Sequence, residues 1–207
     1  MSEKRLGMLL DLSLCIGCNA CVVACKQENA VPLTCFNTWI ESWDARSESG
    51  IRRVNMPKLC NHCEDAPCVR VCPTGASYKA EDGTVQVDPD KCIGCKYCMA
   101  ACPYQVRYQL ESGEVEKCTF CHHRSSQGML PACVATCVTH ARYFGDLNDP
   151  DSDISKKLAE KGGEALYADL GLNPSVLYIG LSETEAMPVA SAVHRGGNVV
   201  KPYEGVN

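Results

Sequence analysis

The sequence has 207 residues, a formal net charge of −5 and only 6% aromatic residues, yet it contains 17 cysteines. The length allows one large domain or two small ones, and the acidic balance excludes the basic surface that nucleic-acid binding needs. No apolar run reaches the roughly 18 residues of a membrane-spanning helix. With so few aromatic residues, the cysteine-rich part is expected to be held together by something other than packed rings.

The N-terminal segment, MSEKRLGMLLDLSLC, combines basic residues with leucines, but Asp11 interrupts the apolar stretch. No small-residue cleavage site follows, so we predict no signal peptide. If the protein works outside the cytoplasm, another chain is expected to carry it there.

Four groups of four cysteines leave one residue over, Cys35, which we expect to be a buried or partly buried free thiol. The first and third groups share the spacing C-x2-C-x2-C-x3-C and comprise Cys15, Cys18, Cys21 and Cys25, and Cys92, Cys95, Cys98 and Cys102. The second group, C-x2-C-x4-C-x3-C, comprises Cys60, Cys63, Cys68 and Cys72. The fourth group, C-x2-C-x11-C-x3-C, comprises Cys118, Cys121, Cys133 and Cys137.

Disulfides, zinc and iron–sulfur clusters are the three chemistries to compare for these groups. The odd cysteine count and the crowded C-x2-C neighbours do not suit a secreted disulfide scaffold. Zinc usually takes two C-x2-C pairs separated by a dozen or more residues. The third group, with the proline after Cys102, has the full bacterial ferredoxin spacing, in which the fourth cysteine binds a neighbouring cluster. The pattern therefore favours iron–sulfur clusters.

Two hairpins are predicted from turn residues between cysteine groups. One lies between the second and third groups and turns at Asp82–Gly83, and the other turns near Ser112–Gly113. The apolar residues 22–24 and 99–101 are helix-compatible and place the fourth cysteine of their groups one helical turn further on. We predict an α+β fold in which two ferredoxin-like [4Fe–4S] modules pack with pseudo-two-fold symmetry.

The cysteine-free end of the chain is predicted to be an extension rather than an independent domain. We assign residues 1–149 to the double ferredoxin-like domain and residues 150–207 to a C-terminal extension that contacts this core or a partner subunit. A helix over 154–161 and a strand in SVLYIG are expected. The acidic residues from Asp149 resemble a calcium loop, but Ile154 stands where such a loop needs glycine, so a helix start capped by an acidic residue is the better interpretation. For the last dozen residues, order and a loose tail remain equally open.

Several polar residues inside the cysteine groups are assigned ordinary roles. We favour packing or solvation for His62, His122 and His123 over hydrogen bonding to sulfur. For Lys26, beside Cys25, an offset of cluster charge and a plain surface position remain open.

The segments CIGCNACVVACKQEN, CNHCEDAPCVRVCPTGA, CIGCKYCMAACPY, KCTFCHHR and PACVATCVTHARYFGDLNDP resemble the four-cluster iron–sulfur subunits of the dimethyl sulfoxide reductase superfamily. The resemblance covers roughly residues 6–155, and the segment VPLTCFNTWI points towards the polysulfide or thiosulfate reductase type. It implies that the first cysteine group pairs with the fourth and the second with the third. Because Cys92, Cys95 and Cys98 are all present, it implies four [4Fe–4S] clusters. The implied ligands are Cys15, Cys18, Cys21 and Cys137 for cluster 1; Cys25, Cys118, Cys121 and Cys133 for cluster 2; Cys60, Cys63, Cys68 and Cys102 for cluster 3; and Cys72, Cys92, Cys95 and Cys98 for cluster 4.

The resemblance also implies a function, partners and a location. The chain would relay electrons between a multi-helix membrane subunit that handles quinone, beside cluster 4, and a molybdopterin catalytic subunit, beside cluster 1. It would have no catalytic residues of its own, and it would lie on the periplasmic face after export together with the catalytic subunit, or alternatively on the cytoplasmic face. The iron–sulfur subunit of a formate dehydrogenase or hydrogenase complex and a free soluble polyferredoxin are the alternative interpretations.

Overall fold

The computed structural model describes residues 4–47, 50–185 and 194–195. Its strands are β1 (Leu6–Asp11), β2 (Thr38–Ser47), β3 (Gly50–Leu59), β4 (Ser77–Lys79), β5 (Val85–Val87), β6 (Tyr108–Gln109), β7 (Val115–Glu116), β8 (Arg142–Asp146), β9 (Val176–Ile179) and β10 (His194–Arg195). Its helices are α1 (Ala20–Glu28), α2 (Pro67–Arg70), α3 (Tyr97–Ala100), α4 (His122–Ser125), α5 (Ala132–Ala135), α6 (Asp153–Lys161) and α7 (Leu181–Glu185). The prediction for the last dozen residues lies outside the described residues.

A three-stranded sheet with β1 at its centre joins the two ends of the chain. Strand β8 pairs with β1 in antiparallel orientation and β9 pairs with it in parallel orientation. All six residues of β1 are buried, because they lie between neighbouring strands and under packed elements on both faces. The sequence analysis did not predict this strand.

The segment after residue 150 lies on the same sheet. Helix α6 packs against β8 and β1, and its N-terminus is capped by the Ser152 hydroxyl, which accepts a hydrogen bond from the Ser155 amide at 3.2 Å. The predicted helix and strand of this segment are thus confirmed, although the cap is a serine rather than an acid. The buried Tyr178 hydroxyl of β9 donates to the Pro57 carbonyl at 3.0 Å, so the segment is also tied to β3.

A long hairpin formed by β2 and β3 follows the first cysteine group and leads into the second. The two strands pair from Thr38–Leu59 to Ser47–Gly50, and the short β10 pairs with β2 on its other side. Pro57 lies in β3, which is an edge strand in the described part of the chain, where a missing N–H is tolerated. The sequence analysis did not predict this hairpin either.

The two hairpins predicted from turn residues are confirmed. Strands β4 and β5 form one of them and β6 and β7 form the other. Both turns contain a glycine with positive φ, 78° at Gly83 and 109° at Gly113, a backbone conformation that favours glycine. Each hairpin follows the last cysteine of a group, and the Ser77 amide at the start of β4 donates to the Cys72 sulfur at 3.3 Å.

The hydrophobic core includes many of the cysteines. Buried Cys21, Cys60, Cys68, Cys98 and Cys133 lie in one cluster with the apolar residues of β1, β3 and β9. Within the described ranges, no helix is long and apolar enough to cross a membrane.

Candidate metal centres

The loops of the first and third cysteine groups have the same backbone conformation. In each CIGC sequence the glycine has positive φ, 70° at Gly17 and 65° at Gly94. A Cβ at Gly17 would come within 2.6 Å of the Asn55 side-chain oxygen, and one at Gly94 within 2.5 Å of the Gly113 carbonyl. Only glycine therefore fits these turns, which connect the first two cysteines of each group.

Helix packing brings cysteine groups together that are distant in sequence. Helix α1, which carries Cys21 and Cys25, packs against α5, which carries Cys133. Helix α2, which carries Cys68, packs against α3, which carries Cys98. The structure therefore juxtaposes the first group with the fourth and the second group with the third.

Cysteines predicted to bind cluster 2 come together near this α1–α5 contact. The Asn29 side-chain amide lies 3.6 Å from the Cys25 sulfur and 3.5 Å from the Cys121 sulfur, so one side chain touches cysteines of two groups. Burial raises the pKa of the Cys25 thiol to about 12, and the charges of Cys133 and Cys121 act in the same direction. Cys25 is therefore closer to the fourth group than its place in the sequence indicates.

Cysteines predicted to bind clusters 1 and 3 also influence one another's pKa. Burial raises the pKa of Cys15, and the charges of Cys21 and Cys137 act in the same direction. Burial likewise raises the pKa of Cys63 to about 12, with further contributions from its neighbours Cys60, Cys68 and Cys102.

All four predicted ligands of cluster 4 line one cavity, together with Arg107 and Ser77. In the described residues, no three His, Cys, Asp or Glu side chains converge on a point where a single metal ion would bind them all. The cysteines of cluster 4 instead surround a space, which fits a multi-iron group with four thiolate ligands.

Because their pKa values are raised, the buried cysteine thiols must lose their protons when they bind iron. Thiols such as Cys25 and Cys63, with pKa values of about 12, are protonated at neutral pH in the metal-free chain. Thiolate is the form that binds iron, so each insertion releases protons. Cluster assembly is therefore expected to become more favourable as the pH rises.

Backbone amides donate hydrogen bonds to several of the sulfurs. The donors are Phe120 to Cys118 at 3.4 Å, Val115 to Cys92 at 3.5 Å, Ser77 to Cys72 at 3.3 Å and Ala141 to Cys137 at 3.3 Å. Hydrogen bonds of this kind stabilise negative charge on the sulfur and raise the reduction potential of a cluster.

A stacked ring pair lies between the second and fourth cysteine groups. His62, in CNHC, and Phe120, in CTFC, occupy the same place in their loops, and their ring centroids are 3.7 Å apart. His62 is fully buried and its Nδ1 accepts the Val85 amide at 3.0 Å. Burial lowers its pKa well below the usual value, so the ring is neutral at physiological pH. The packing role predicted for His62 is thus confirmed.

The other side chains singled out in the sequence lie outside the sulfur sites. His122 and His123 are partly exposed and lie beside Asp82 and Glu28. The Lys26 amine donates to the carbonyls of Pro32, Leu33 and Cys35 and lies over the Phe36 ring, so it anchors a loop. Cys35 itself is partly buried, as predicted, and its being no cluster ligand stays a prediction.

Three buried cations, Arg107, Lys117 and Arg142, were missed by the sequence analysis. Arg107 donates to the Cys68 sulfur at 3.0 Å and Arg142 to the Cys21 sulfur at 3.3 Å. The sequence does contain a pattern that could have pointed to the two arginines. Each stands five residues after the last cysteine of its group and is followed by tyrosine. Lys117 immediately precedes Cys118.

Comparison with known proteins agrees with this description of the sites. Residues 14–76 and 51–147 each match a protein family described as a 4Fe-4S dicluster domain. The class of protein is therefore a ferredoxin-like protein of mixed helix and strand that holds four [4Fe–4S] clusters.

The similar proteins define the family more closely. The sequence is 43% identical to a tetrathionate reductase subunit of Salmonella typhimurium over 192 residues, which is 90% of this chain and 77% of that protein. It is 42% identical to a polysulfide reductase component of Wolinella succinogenes, with 85% of this chain and 94% of that protein covered. A putative dimethyl sulfoxide reductase iron-sulfur subunit of Halobacterium salinarum is 41% identical over 84% of this chain and 78% of its own length. The protein belongs to the iron–sulfur subunits of the dimethyl sulfoxide reductase family, and its function is electron transfer.

Proposed function

We propose that this chain is a four-cluster electron wire between a membrane subunit that handles quinone and a molybdopterin catalytic subunit. The observation that carries this proposal is the position of the exposed cysteines. Of the 16 proposed ligands only Cys18 and Cys95 are exposed, and they belong to clusters 1 and 4. The first and last clusters are thus accessible from the surface, while clusters 2 and 3 have no exposed cysteine.

The proposed ligand sets are those of clusters 1 to 4 as defined above. The Asn29 contact with Cys25 and Cys121 supports the crossed assignment of cluster 2, and the common cavity supports cluster 4. When bound, each cluster supplies one-electron redox chemistry. The chain supplies the thiolates, the amide donors and the exclusion of water from the middle of the series.

The proposed order of the clusters is 1, 2, 3, 4. Besides burial, Cys21 contributes to the raised pKa of Cys25, which relates clusters 1 and 2. Cys60 contributes in the same way to the raised pKa of Cys118, which relates clusters 2 and 3. Cys68 contributes to that of Cys98, which relates clusters 3 and 4.

We also propose that the two modules are related by a pseudo-two-fold axis. His62 and Phe120 hold equivalent places in the second and fourth groups, and they stack on each other. A residue that touches its own counterpart is what two-fold symmetry requires at the axis. The division into residues 1–149 and an extension over 150–207 remains our proposal, supported by the pairing of β9 with β1.

Exposed apolar side chains beside the two terminal clusters are the proposed docking points. Ile16 is 62% exposed next to Cys15, and Ile93 is 67% exposed next to Cys92. Large exposed apolar residues beside a redox centre suit burial against another protein. From the family resemblance, the catalytic subunit would cover Ile16 and the membrane subunit would cover Ile93.

Substitution of each isoleucine by glutamate tests the two docking points. Ile93→Glu is expected to reduce co-purification of the membrane subunit and to spare the catalytic subunit, and Ile16→Glu to do the reverse, because a buried unpaired carboxylate opposes binding. The matched control is Ile51→Glu, at a 72% exposed position in β3, which should keep both partners. Anaerobic affinity purification from the native host with mass spectrometry gives the readout. Loss of the same partner from both variants, or of neither, would contradict the proposal.

The location is proposed from the same resemblance. We place the chain on the periplasmic face, carried there in folded form by a twin-arginine signal of the catalytic subunit. Protease digestion of intact spheroplasts should then degrade the chain, whereas protection until lysis would indicate the cytoplasmic face. The electron acceptor is proposed to belong to the sulfur-compound class, as in the polysulfide or thiosulfate type.

A further inference from the structure

Arg107, Lys117 and Arg142 are three buried cations without a carboxylate partner in the described residues. Their exposed fractions are 3%, 1% and 4%. The cations that form ion pairs with carboxylates there, such as Arg53 with Asp44 and Lys161 with Asp11, lie elsewhere. A buried cation without a compensating negative charge is strongly destabilising. Something other than a carboxylate must therefore balance these three.

Arg142 lies between the ligands of clusters 1 and 2. Its guanidinium donates to the Cys21 sulfur of cluster 1 at 3.3 Å and to the Thr38 hydroxyl at 3.2 Å. Burial would lower its pKa, but the charges of Cys133 in cluster 2 and of Cys21 and Cys15 in cluster 1 raise it further than burial lowers it.

Arg107 lies between the ligands of clusters 3 and 4. It donates to the Cys68 sulfur of cluster 3 at 3.0 Å and to the Ser77 hydroxyl at 2.9 Å. It also lines the cavity formed by the cysteines of cluster 4. Its second terminal nitrogen, Nη1, is buried without a hydrogen-bond partner, so the guanidinium retains a free donor next to the sulfurs.

Lys117 lies between the ligands of clusters 2 and 3. Its amine donates to the Cys118 carbonyl at 2.9 Å and to the Val85 carbonyl, both uncharged acceptors. The amide of the same Val85 donates to His62, which lies between the cluster 3 ligands Cys60 and Cys63, so the amine reaches from cluster 2 towards cluster 3. Burial lowers the pKa of Lys117, and the sulfurs of Cys60, Cys118 and Cys68 oppose that lowering. Between each two consecutive clusters of the proposed order there is thus one buried cationic side chain.

We propose that Arg142, Lys117 and Arg107 form a cation series, one member in each gap between consecutive clusters, which raises the reduction potentials of the two clusters that each member faces. This inference rests on the ligand sets and the cluster order of the proposed function. A [4Fe–4S] core with four thiolates carries a net negative charge, which grows when an electron is added. A nearby cation in a water-poor interior stabilises the reduced state most and offsets repulsion between neighbouring reduced clusters.

Removal of one of these cationic side chains should lower the reduction potentials of the two clusters that it faces. In the full-length chain with its clusters, Arg107→Gln is expected to lower the potentials of clusters 3 and 4, and Arg142→Gln those of clusters 1 and 2. A tenfold shift of each one-electron equilibrium, about 59 mV, is the expected scale. Anaerobic potentiometric titration monitored by electron paramagnetic resonance measures all four. Cysteine-to-serine variants of each cluster assign the signals, so an error in the ligand sets is detected separately.

Charge-keeping variants and a control complete the test. Arg107→Lys and Arg142→Lys should keep potentials near those of the parent protein. Arg53→Gln removes a half-exposed arginine of β3 that pairs with Asp44, and it should move none of the four. Unchanged potentials in both glutamine variants, or an equal shift of all four clusters, would overturn the cation series. If the glutamine variants lose their clusters, the lysine variants decide: retained clusters with unshifted potentials support the series, and lost clusters or lowered potentials refute it.

Discussion

Replacement of Tyr178 by phenylalanine tests whether the segment after residue 150 is part of the folded core. The Tyr178 ring is fully buried in β9, and its hydroxyl donates to the Pro57 carbonyl at 3.0 Å, three residues before Cys60. The substitution keeps the ring and removes only the hydrogen bond. A lost neutral hydrogen bond with a buried acceptor left behind costs about 1–2 kcal/mol. For a chain of this length that corresponds to a fall of about 2–8 °C in the melting temperature.

The assay is anaerobic thermal unfolding of the cluster-containing protein, followed by circular dichroism and by the visible absorption of the clusters. The matched control is Tyr97→Phe, because the Tyr97 ring is 63% exposed and its substitution should cost no more than about 0.5 kcal/mol. Tyr178→Ala, which also empties the ring site, should cost about 3–5 kcal/mol. Equal melting temperatures for Tyr178→Phe and Tyr97→Phe would refute the argument that the C-terminal segment stabilises the cluster-binding core.

Three further substitutions have distinct expected outcomes. Cys25→Ser should abolish the spectroscopic signal of cluster 2 and preserve that of cluster 1; the opposite result would mean that each cysteine group is self-contained. Cys35→Ser should leave all four clusters intact, and loss of any cluster would make Cys35 a ligand. Burial favours a higher pKa for Asp11, but hydrogen bonds from Ser13 and Lys161 lower it overall, so the carboxylate stabilises the fold above its unfolded pKa. Lys161→Met should therefore cost about 1 kcal/mol at neutral pH, and the difference should vanish as the pH falls through the pKa of Asp11; a pH-independent difference in urea titrations would refute this.

Local sequence signals predicted part of the fold. The Asp82–Gly83 and Ser112–Gly113 turns were visible because a positive φ needs glycine whatever surrounds it. Strand β1 was missed because it is buried along its whole length, so its residues show no alternation of apolar and polar types. The β2–β3 hairpin was missed although its strands are long, since Pro57 lies within the second one and makes the pattern less typical of a strand.

The sequence also predicted the cysteines of the site more readily than the residues around them. Cysteine spacing is a local property, and it sufficed to indicate the chemistry. The cations depend on tertiary structure: Lys117 reaches the Val85 carbonyl, 32 positions earlier in the chain, and Arg142 reaches Cys21 across 121 positions. No spacing rule predicts such contacts, although the repeated Arg-Tyr after Cys102 and Cys137 was a hint.

Reduction by menaquinol tests the central claim, a wire that works only between two partners. The isolated chain should be reduced very slowly by menaquinol, because we propose that quinol is oxidised in the membrane subunit. Addition of the membrane subunit in liposomes should make reduction of the clusters fast, and addition of the catalytic subunit with its substrate should then reoxidise them. Anaerobic stopped-flow absorption measures both steps. Equal rates of reduction with and without the membrane subunit would contradict the account.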